Sequence, residues 1–114
     1  MALRLNYDGN YSFPIHTAEA IENYLFQGLE PGSFVSSVLC NDLVGACTRC
    51  DHINATHIVQ ITKFVLHCMP PGSWGNWDRM LKWMSDDNSI RSNYVNEFEK
   101  RLMWETLSQK EQTW

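Results

Sequence analysis

The sequence lacks the features of several large functional classes. No apolar run approaches the roughly 20 residues that a membrane span requires, and residues 1–13 carry no signal-peptide pattern. Positive charge is scarce, because nine Lys and Arg stand against 13 Asp and Glu, a net charge of −4. Non-specific nucleic-acid binding requires a basic stripe. We therefore expect a cytoplasmic protein that binds neither membranes nor nucleic acid non-specifically.

Catalytic signatures are also missing. The chain contains no phosphate-binding loop of the GxxxxGK[ST] type and no GxGxxG, HExxH or GxSxG motif. Its densest titratable cluster is Asp42, Asp51, His52 and His57, and nothing in the pattern places a nucleophile beside either histidine. The sequence therefore predicts a binding protein and not an enzyme.

The chain contains few cysteines, namely Cys40, Cys47, Cys50 and Cys68. Without a signal peptide, disulfides are not expected. Cys47 and Cys50 with His52 and His57 have a spacing compatible with zinc, but a helical period runs through them, and free cysteine is usually buried. We expect buried thiols and no cofactor, and a zinc site at these four residues is the alternative.

The apolar residues that are present recur at helical spacing. Hydrophobic residues make up 44% of the 114 residues, enough for the core of one domain. No strand-like alternation occurs, whereas spacings of three and four dominate residues 34–68. The predicted fold is all-α, a compact bundle of about five helices over residues 17–114, preceded by an irregular arm at residues 1–16.

Capping residues suggest where the helices begin and end. Thr17 and Gly28 bracket the first helix, and Ser33 is the expected N-cap of the second. Asp51 is expected to cap a third helix that folds back as an antiparallel hairpin, and one long helix over residues 34–68 is the alternative.

The two remaining helices come after a Pro-Pro-Gly-Ser segment. A short fourth helix is expected to begin at Trp74 and a fifth at Ile90, after a polar turn. Trp74, Trp77 and Trp83 cannot all face one side of a helix, so we expect one of them to be exposed.

Residues 30–34 and 70–74 both read x-Pro-Gly-Ser-aromatic ahead of a predicted helix. Such a corner offers unpaired N–H groups beside an aromatic ring, which suits an anionic ligand that contains a ring. Ordinary helix capping is the competing interpretation. Asn41, Asp42, Asp51 and Asn54 are polar residues among apolar neighbours. They indicate either a hydrogen-bond network at the helix junctions or a surface that recognises a ligand. The predicted ligand-binding residues are Pro31, Gly32, Ser33, Phe34, Asn41, Asp42, Arg49, Asp51, Asn54, Ser73, Trp74 and Gly75.

Under half of the chain resembles a group of short bacteriophage proteins. Their pattern is an aromatic residue, then Gly-x-x-Pro-Gly-Ser-Phe, Val-Leu-x-Asn-Asp-Leu, Ala, Asp-x-x-Asn and Pro-x-x-x-Trp-Gly. The matching positions here are Tyr24, Gly28, residues 31–34, residues 38–43, Ala46, Asp51, Asn54, Pro71 and residues 74–75.

The resemblance implies a phage protein that acts in the host bacterial cytoplasm. Small acidic phage proteins are frequently stoichiometric devices against antiviral defence. We therefore expect a homo-oligomer that sequesters a small nucleotide-type immune signal. The alternatives are a protein–protein inhibitor of a host defence complex, of the anti-CRISPR type, and a structural or regulatory phage helper.

Overall fold

The described part of the chain is built from helices alone. The computed structural model describes the backbone of residues 3–5 and 13–112 and the side chains of residues 3–5 and 13–103. The α-helices in these ranges are α1 (Ile15–Gln27), α2 (Ser33–Leu39), α3 (Leu43–Arg49), α4 (His52–Ala55), α5 (Ile58–Cys68), α6 (Trp77–Ser85) and α7 (Ile90–Gln112). Two 3₁₀ turns lie at Pro71–Ser73 and Asp87–Ser89. The all-α prediction is confirmed, but about five helices was too few. None of the described helices is long and apolar enough to cross a lipid bilayer.

The extra helices come from breaks within residues 34–68. Asn41 adopts a left-handed conformation with φ of 63°, which ends α2. Asp42 then caps α3 by accepting a hydrogen bond from the Gly45 amide at 2.9 Å. Asp51 caps α4 as predicted, since it accepts from the Asn54 amide at 2.7 Å. A further break at His57 separates α4 from α5, so this segment is neither one helix nor two.

The first helix begins earlier than its capping pattern suggested. It starts directly after Pro14, and the Pro14 carbonyl accepts from the amides of Thr17 and Ala18 at 3.1 Å. Residues 15 and 16 therefore belong to α1, whereas residues 1–2 and 6–12 of the predicted irregular arm lie outside the described residues. Thr17 is buried instead of capping the helix. Gly28 ends α1 with φ of 72°, as predicted.

Two other predicted starts are shifted. Gly32, and not Ser33, occupies the N-cap position of α2. The fourth predicted helix does not begin at Trp74, because Trp74 is extended and Gly75 has φ of 124°. Asn76 caps α6 instead, by accepting from the Arg79 amide at 2.8 Å. The last helix begins at Ile90 as predicted.

The core is centred on Trp83 of α6, which is 1% exposed. Its indole N–H lies 3.2 Å from the carbonyl oxygens of both Tyr24 and Leu25 at the end of α1. The Tyr24 hydroxyl donates to the Ser73 carbonyl at 2.6 Å, and burial raises the pKa of this phenol well above its usual value. These bonds hold α1, α6 and the Pro71–Ser73 turn together.

A buried carboxylate on α1 binds the backbone of the described residues 4 and 5. Glu22 on α1 accepts from the Arg4 amide at 2.6 Å and from the Leu5 amide at 3.1 Å. Leu5 and Phe13 both pack on the core, and the Phe13 ring lies edge-on to Phe64 with centroids 5.4 Å apart. Leu5 and Phe13 therefore tie these described residues to the core.

Candidate functional site: two clefts that share Arg49

The larger of two neighbouring clefts lies along α2 and has a volume of about 340 Å³. Its lining combines hydroxyls, a thiol, charged groups and one large aromatic ring. The lining residues are Glu30, Ser33, Ser36, Ser37, Cys40, Asp42, Arg49 and Trp77. A cleft of this size and polarity can hold part of a small polar molecule that contains a ring.

One wall of this cleft is a polar stripe on α2. Ser33, Ser36, Ser37 and Cys40 recur at spacings of three and four, so they share one face of the helix. Ser37 donates to the Ser33 carbonyl at 2.9 Å. Ser36 is only 8% exposed, and its hydroxyl has no hydrogen-bond partner among the described residues. A buried hydroxyl without a partner costs about 1–3 kcal/mol, so Ser36 lowers the stability of this helix and leaves one polar atom of the cleft wall unsatisfied.

Arg49, the last residue of α3, provides the cation of the cleft. Its Nη1 donates to the Ser37 hydroxyl at 2.7 Å and lies 3.6 Å from a carboxylate oxygen of Asp42. Both charged side chains of this pair are 50% exposed, so solvent weakens their attraction. Gly45 makes the arrangement possible, because a Cβ at that position would collide with the Asp42 carboxylate and the Arg49 guanidinium.

The second cleft lies on the other side of Ser33 and Arg49 and has a volume of about 240 Å³. It is formed by α1, the start of α2 and the α3–α4 junction. The lining residues are His16, Thr17, Ala20, Pro31, Gly32, Ser33, Phe34, Val35, Arg49, Asp51 and Asn54. Because Ser33 and Arg49 line both clefts, one bound molecule could extend into both and contact the same guanidinium.

A hydrogen-bond network forms the floor of the second cleft. Thr17 on α1 donates to the Asn54 side-chain oxygen at 2.6 Å, and both residues are buried. Asp51 accepts from the Asn54 amide and lies 3.7 Å from Nε2 of His16. The polar residues at this junction therefore form a network that joins α1 to α4. For Asp51 and Asn54, this is the junction network that the sequence suggested as one of two interpretations.

Most of the predicted ligand-binding residues meet at these clefts. Those that line one or both clefts are Pro31, Gly32, Ser33, Phe34, Asp42, Arg49, Asp51 and Asn54. Asn41 instead faces a separate groove between α3 and α5. The structure therefore gathers the first Pro-Gly-Ser-aromatic corner with Asp42, Arg49 and the α4 cap.

The second corner does not join this group. Ser73 is fully buried, and Trp74 packs partly buried against the core. The Gly75 amide donates to the Leu39 carbonyl at 2.7 Å, so this corner docks on the C-terminal end of α2. Ser73, Trp74 and Gly75, which were predicted to bind ligand, therefore line neither of the two clefts. Trp77, which lies three residues after this corner at the start of α6, lines the larger cleft instead.

Several lining residues had escaped the sequence interpretation, notably Glu30, Ser36, Ser37, Cys40 and Trp77. The three- and four-residue spacing of the serines with Cys40 was visible in the sequence, as a polar stripe on an otherwise apolar helix. Trp77 is 56% exposed, which confirms that one of the three Trp residues lies at the surface. No sequence signal showed which one it would be.

The cysteines are not uniformly buried, contrary to the sequence interpretation. Cys47 and Cys68 are exposed, while Cys40 and Cys50 are half-buried. Cys40 donates to the Met80 sulfur at 3.7 Å, and burial, followed by the nearby Asp42 charge, raises the pKa of its thiol. Within the described ranges, no group of three or more His, Cys, Asp or Glu residues is placed to hold a metal ion.

Comparison with known proteins adds no family to this geometry. No protein-family model, no curated protein and no solved structure matches the chain. The class of the protein therefore rests on its own coordinates: a small all-α domain with a polar double cleft centred on one arginine.

Proposed function

We propose that this protein is a non-enzymatic, stoichiometric binder of a small nucleotide-type ligand, which it holds in the paired clefts around Arg49. In the phage setting that the sequence resemblance suggests, the ligand is an immune signal of the host, and its sequestration counteracts antiviral defence in the bacterial cytoplasm. The protein acts as a homo-oligomer in this proposal.

The observation that carries the proposal is the Arg49 guanidinium on a cleft whose lining also includes the exposed Trp77 ring. The guanidinium donates to the Ser37 hydroxyl, which lines the same cleft. The guanidinium suits an anionic oxygen, and an exposed indole suits a base that stacks on it. A nucleotide carries both of these groups.

Binding without chemistry agrees with the state of the groups at the site. The Cys40 thiol on the larger cleft has a raised pKa and donates a hydrogen bond to the Met80 sulfur. A protonated thiol is a poor nucleophile. The Ser37 hydroxyl accepts a hydrogen bond from Arg49. A guanidinium cannot act as the general base that would activate this hydroxyl as a nucleophile.

Native mass spectrometry of the gently purified protein tests the proposal directly. We expect a complex with extra mass equal to a nucleotide, released on denaturation. For a quantitative test, Arg49→Gln should weaken binding of that ligand by at least about tenfold, since a hydrogen bond to a charged group is worth about 1.5–3 kcal/mol. Lys63→Gln, which removes the same charge from an exposed position on α5, is the matched control. Equal affinity of both variants would contradict the proposal.

A protein-binding role is the second candidate, and exposed apolar side chains favour it. Leu43 and Val44 on α3 are 69% and 74% exposed, and Val59 and Leu66 on α5 are 63% and 57% exposed. Exposed apolar groups of this density commonly mark an interface. If a host protein is the partner, Val44→Asp should abolish its capture while nucleotide binding in the clefts is unchanged.

A further inference from the structure

The charges around the paired clefts limit how many negative charges the bound nucleotide can carry. Three carboxylates line the clefts, Glu30 and Asp42 on the larger and Asp51 on the smaller. Among the described residues, Arg49 is the only Lys or Arg that lines either cleft, and Asp42 already lies 3.6 Å from it. Every negative charge on a ligand beyond the first therefore faces carboxylates without a second cation from these residues to offset them.

The position of Arg49 adds a geometric restriction. Its guanidinium lies where the two clefts meet, and Ser33 is the only other described residue that lines both. An anionic group bound there has a cleft on each side. A phosphomonoester has one organic substituent and fills one cleft only, whereas a phosphodiester has a substituent on each side and a single negative charge.

Each cleft offers contacts for a ring. Trp77 is half-exposed on the larger cleft, beside the Glu30 carboxylate, which can accept from the amino group of a base. Phe34 and the half-exposed His16 line the smaller cleft. The exposed Ser33, which lines both clefts, can contact a sugar hydroxyl or a phosphate oxygen through its hydroxyl.

We propose that the paired clefts select a phosphodiester that carries one negative charge and joins two ring-bearing groups, with the phosphate at Arg49 and one group in each cleft. This inference rests on the proposed function and names its ligand class. Phosphomonoesters and triphosphates are discriminated against by Glu30, Asp42 and Asp51.

Isothermal titration of the full chain with one adenine series and one guanine series tests the selection. The adenine probes are adenosine, the diester ApA, cyclic 3′,5′-AMP, AMP and ATP. The guanine probes are the same five compounds with guanine in place of adenine. We expect the dinucleoside diester to bind at least about tenfold more tightly than the monophosphate, and the triphosphate to bind most weakly. The cyclic mononucleotide has one charge but one ring, so its affinity should lie between those of the diester and the monophosphate.

Two variants separate the charge effect from general damage to the site. Asp42→Asn keeps a good helix cap for α3 but removes the negative charge beside Arg49, so it should narrow the preference for the diester over the monophosphate several-fold. Gly45→Ala should improve helix propensity yet weaken binding of the diester, because its Cβ displaces both the Asp42 carboxylate and the Arg49 guanidinium.

The outcomes distinguish the two proposals. If AMP or ATP binds as tightly as the diester, or if Asp42→Asn leaves the preference unchanged, the diester selection is wrong while nucleotide binding stands. If no member of either series binds, both this inference and the proposed function are overturned.

Discussion

The same five-residue pattern performs two different tasks in this molecule. Residues 30–34 form the rim of the paired clefts, where Gly32 and Ser33 are exposed to solvent. Residues 70–74 form an internal joint, where Ser73 is fully buried and its carbonyl accepts from the Tyr24 hydroxyl. The backbone within each corner accounts for the difference. The first corner already enters α2 at Ser33, whereas the second consists of a 3₁₀ turn over Pro71–Ser73 followed by the extended Trp74.

The glycines of the two corners also serve different needs. Gly32 has φ of 89° and ψ of 166°, a region that essentially only glycine adopts, and a Cβ there would meet no neighbouring atom within 4 Å. Gly72 has no such backbone requirement, but a Cβ would lie 2.5 Å from the Ile90 Cδ1 atom. The first glycine is needed for the turn, and the second for close packing against α7.

The largest change in stability is expected from Trp74, the aromatic residue of the internal corner at residues 70–74. Trp74→Ala should lower the free energy of unfolding by about 3 kcal/mol, since its ring packs on the core. Ligand affinity per folded molecule should stay unchanged, because Trp74 lines neither cleft. Urea denaturation and titration of the same sample measure the two quantities. A loss of affinity at unchanged stability would mean that the second corner belongs to the site after all.

Alanine at the two glycines should separate turn strain from packing. Gly32→Ala should cost about 2 kcal/mol through the backbone conformation, whatever lies nearby. Gly72→Ala should cost about 1–2 kcal/mol through its clash with Ile90. The clash should be relieved by Ile90→Val, which removes the Cδ1 atom, so a double-mutant cycle should show a coupling of about 1 kcal/mol for Gly72→Ala and none for Gly32→Ala. Rescue of both glycine variants by Ile90→Val would contradict the distinction.

The Tyr24 hydroxyl should make the internal corner sensitive to alkali. Tyr24→Phe should cost about 1–2 kcal/mol at neutral pH, because the buried Ser73 carbonyl loses its donor. Burial raises the pKa of Tyr24 in the folded chain, so the folded state holds its proton where the unfolded state has released it. Wild-type stability should therefore fall as pH rises above about 10, the ordinary tyrosine pKa.

The Phe variant should show a shallower alkaline decline in the free energy of unfolding. Tyr94, whose pKa burial also raises, is present in both proteins, so only their difference reports Tyr24. Chemical denaturation at a series of pH values from about 8 to about 11 measures that difference. Parallel curves for the two proteins would show that the Tyr24 proton plays no part in the stability of this corner.

The helix boundaries that could be predicted from the sequence are those that neighbouring residues determine. The Gly28 and Asp51 caps and the start of α7 at Ile90 were predicted correctly, because each is determined by neighbouring residues. Asn41 ended α2 unexpectedly, since a left-handed Asn leaves the hydrophobic period of residues 34–50 unchanged. The sequence pattern does not distinguish an Asn on a polar helix face from one that ends the helix.

The candidate site divides in the same way. Residues 31–34 were singled out because the motif is contiguous, and Arg49 because basic residues are few. That Arg49 would lie between two clefts depends on the close packing of α2 and α3, which is a consequence of the break at Asn41. The burial of the second corner depends on the Tyr24–Ser73 hydrogen bond, whose partners are 49 residues apart. Local sequence patterns contain no information about such a pair.

Alanine at Ser73 or Ser33 should give the smallest changes in stability and ligand affinity. Each substitution should affect only one of these two quantities, so the pair distinguishes the roles of the two corners. Ser73→Ala removes a buried donor that lies 2.7 Å from the Pro70 carbonyl, so it should cost about 1 kcal/mol of stability and leave binding intact. Ser33→Ala changes an exposed side chain and should cost less than about 0.5 kcal/mol. It removes a hydroxyl shared by both clefts, however, and should therefore weaken ligand binding several-fold. Thermal unfolding and titration of the two variants should thus give opposite patterns, and equal patterns would mean that the two corners play the same role.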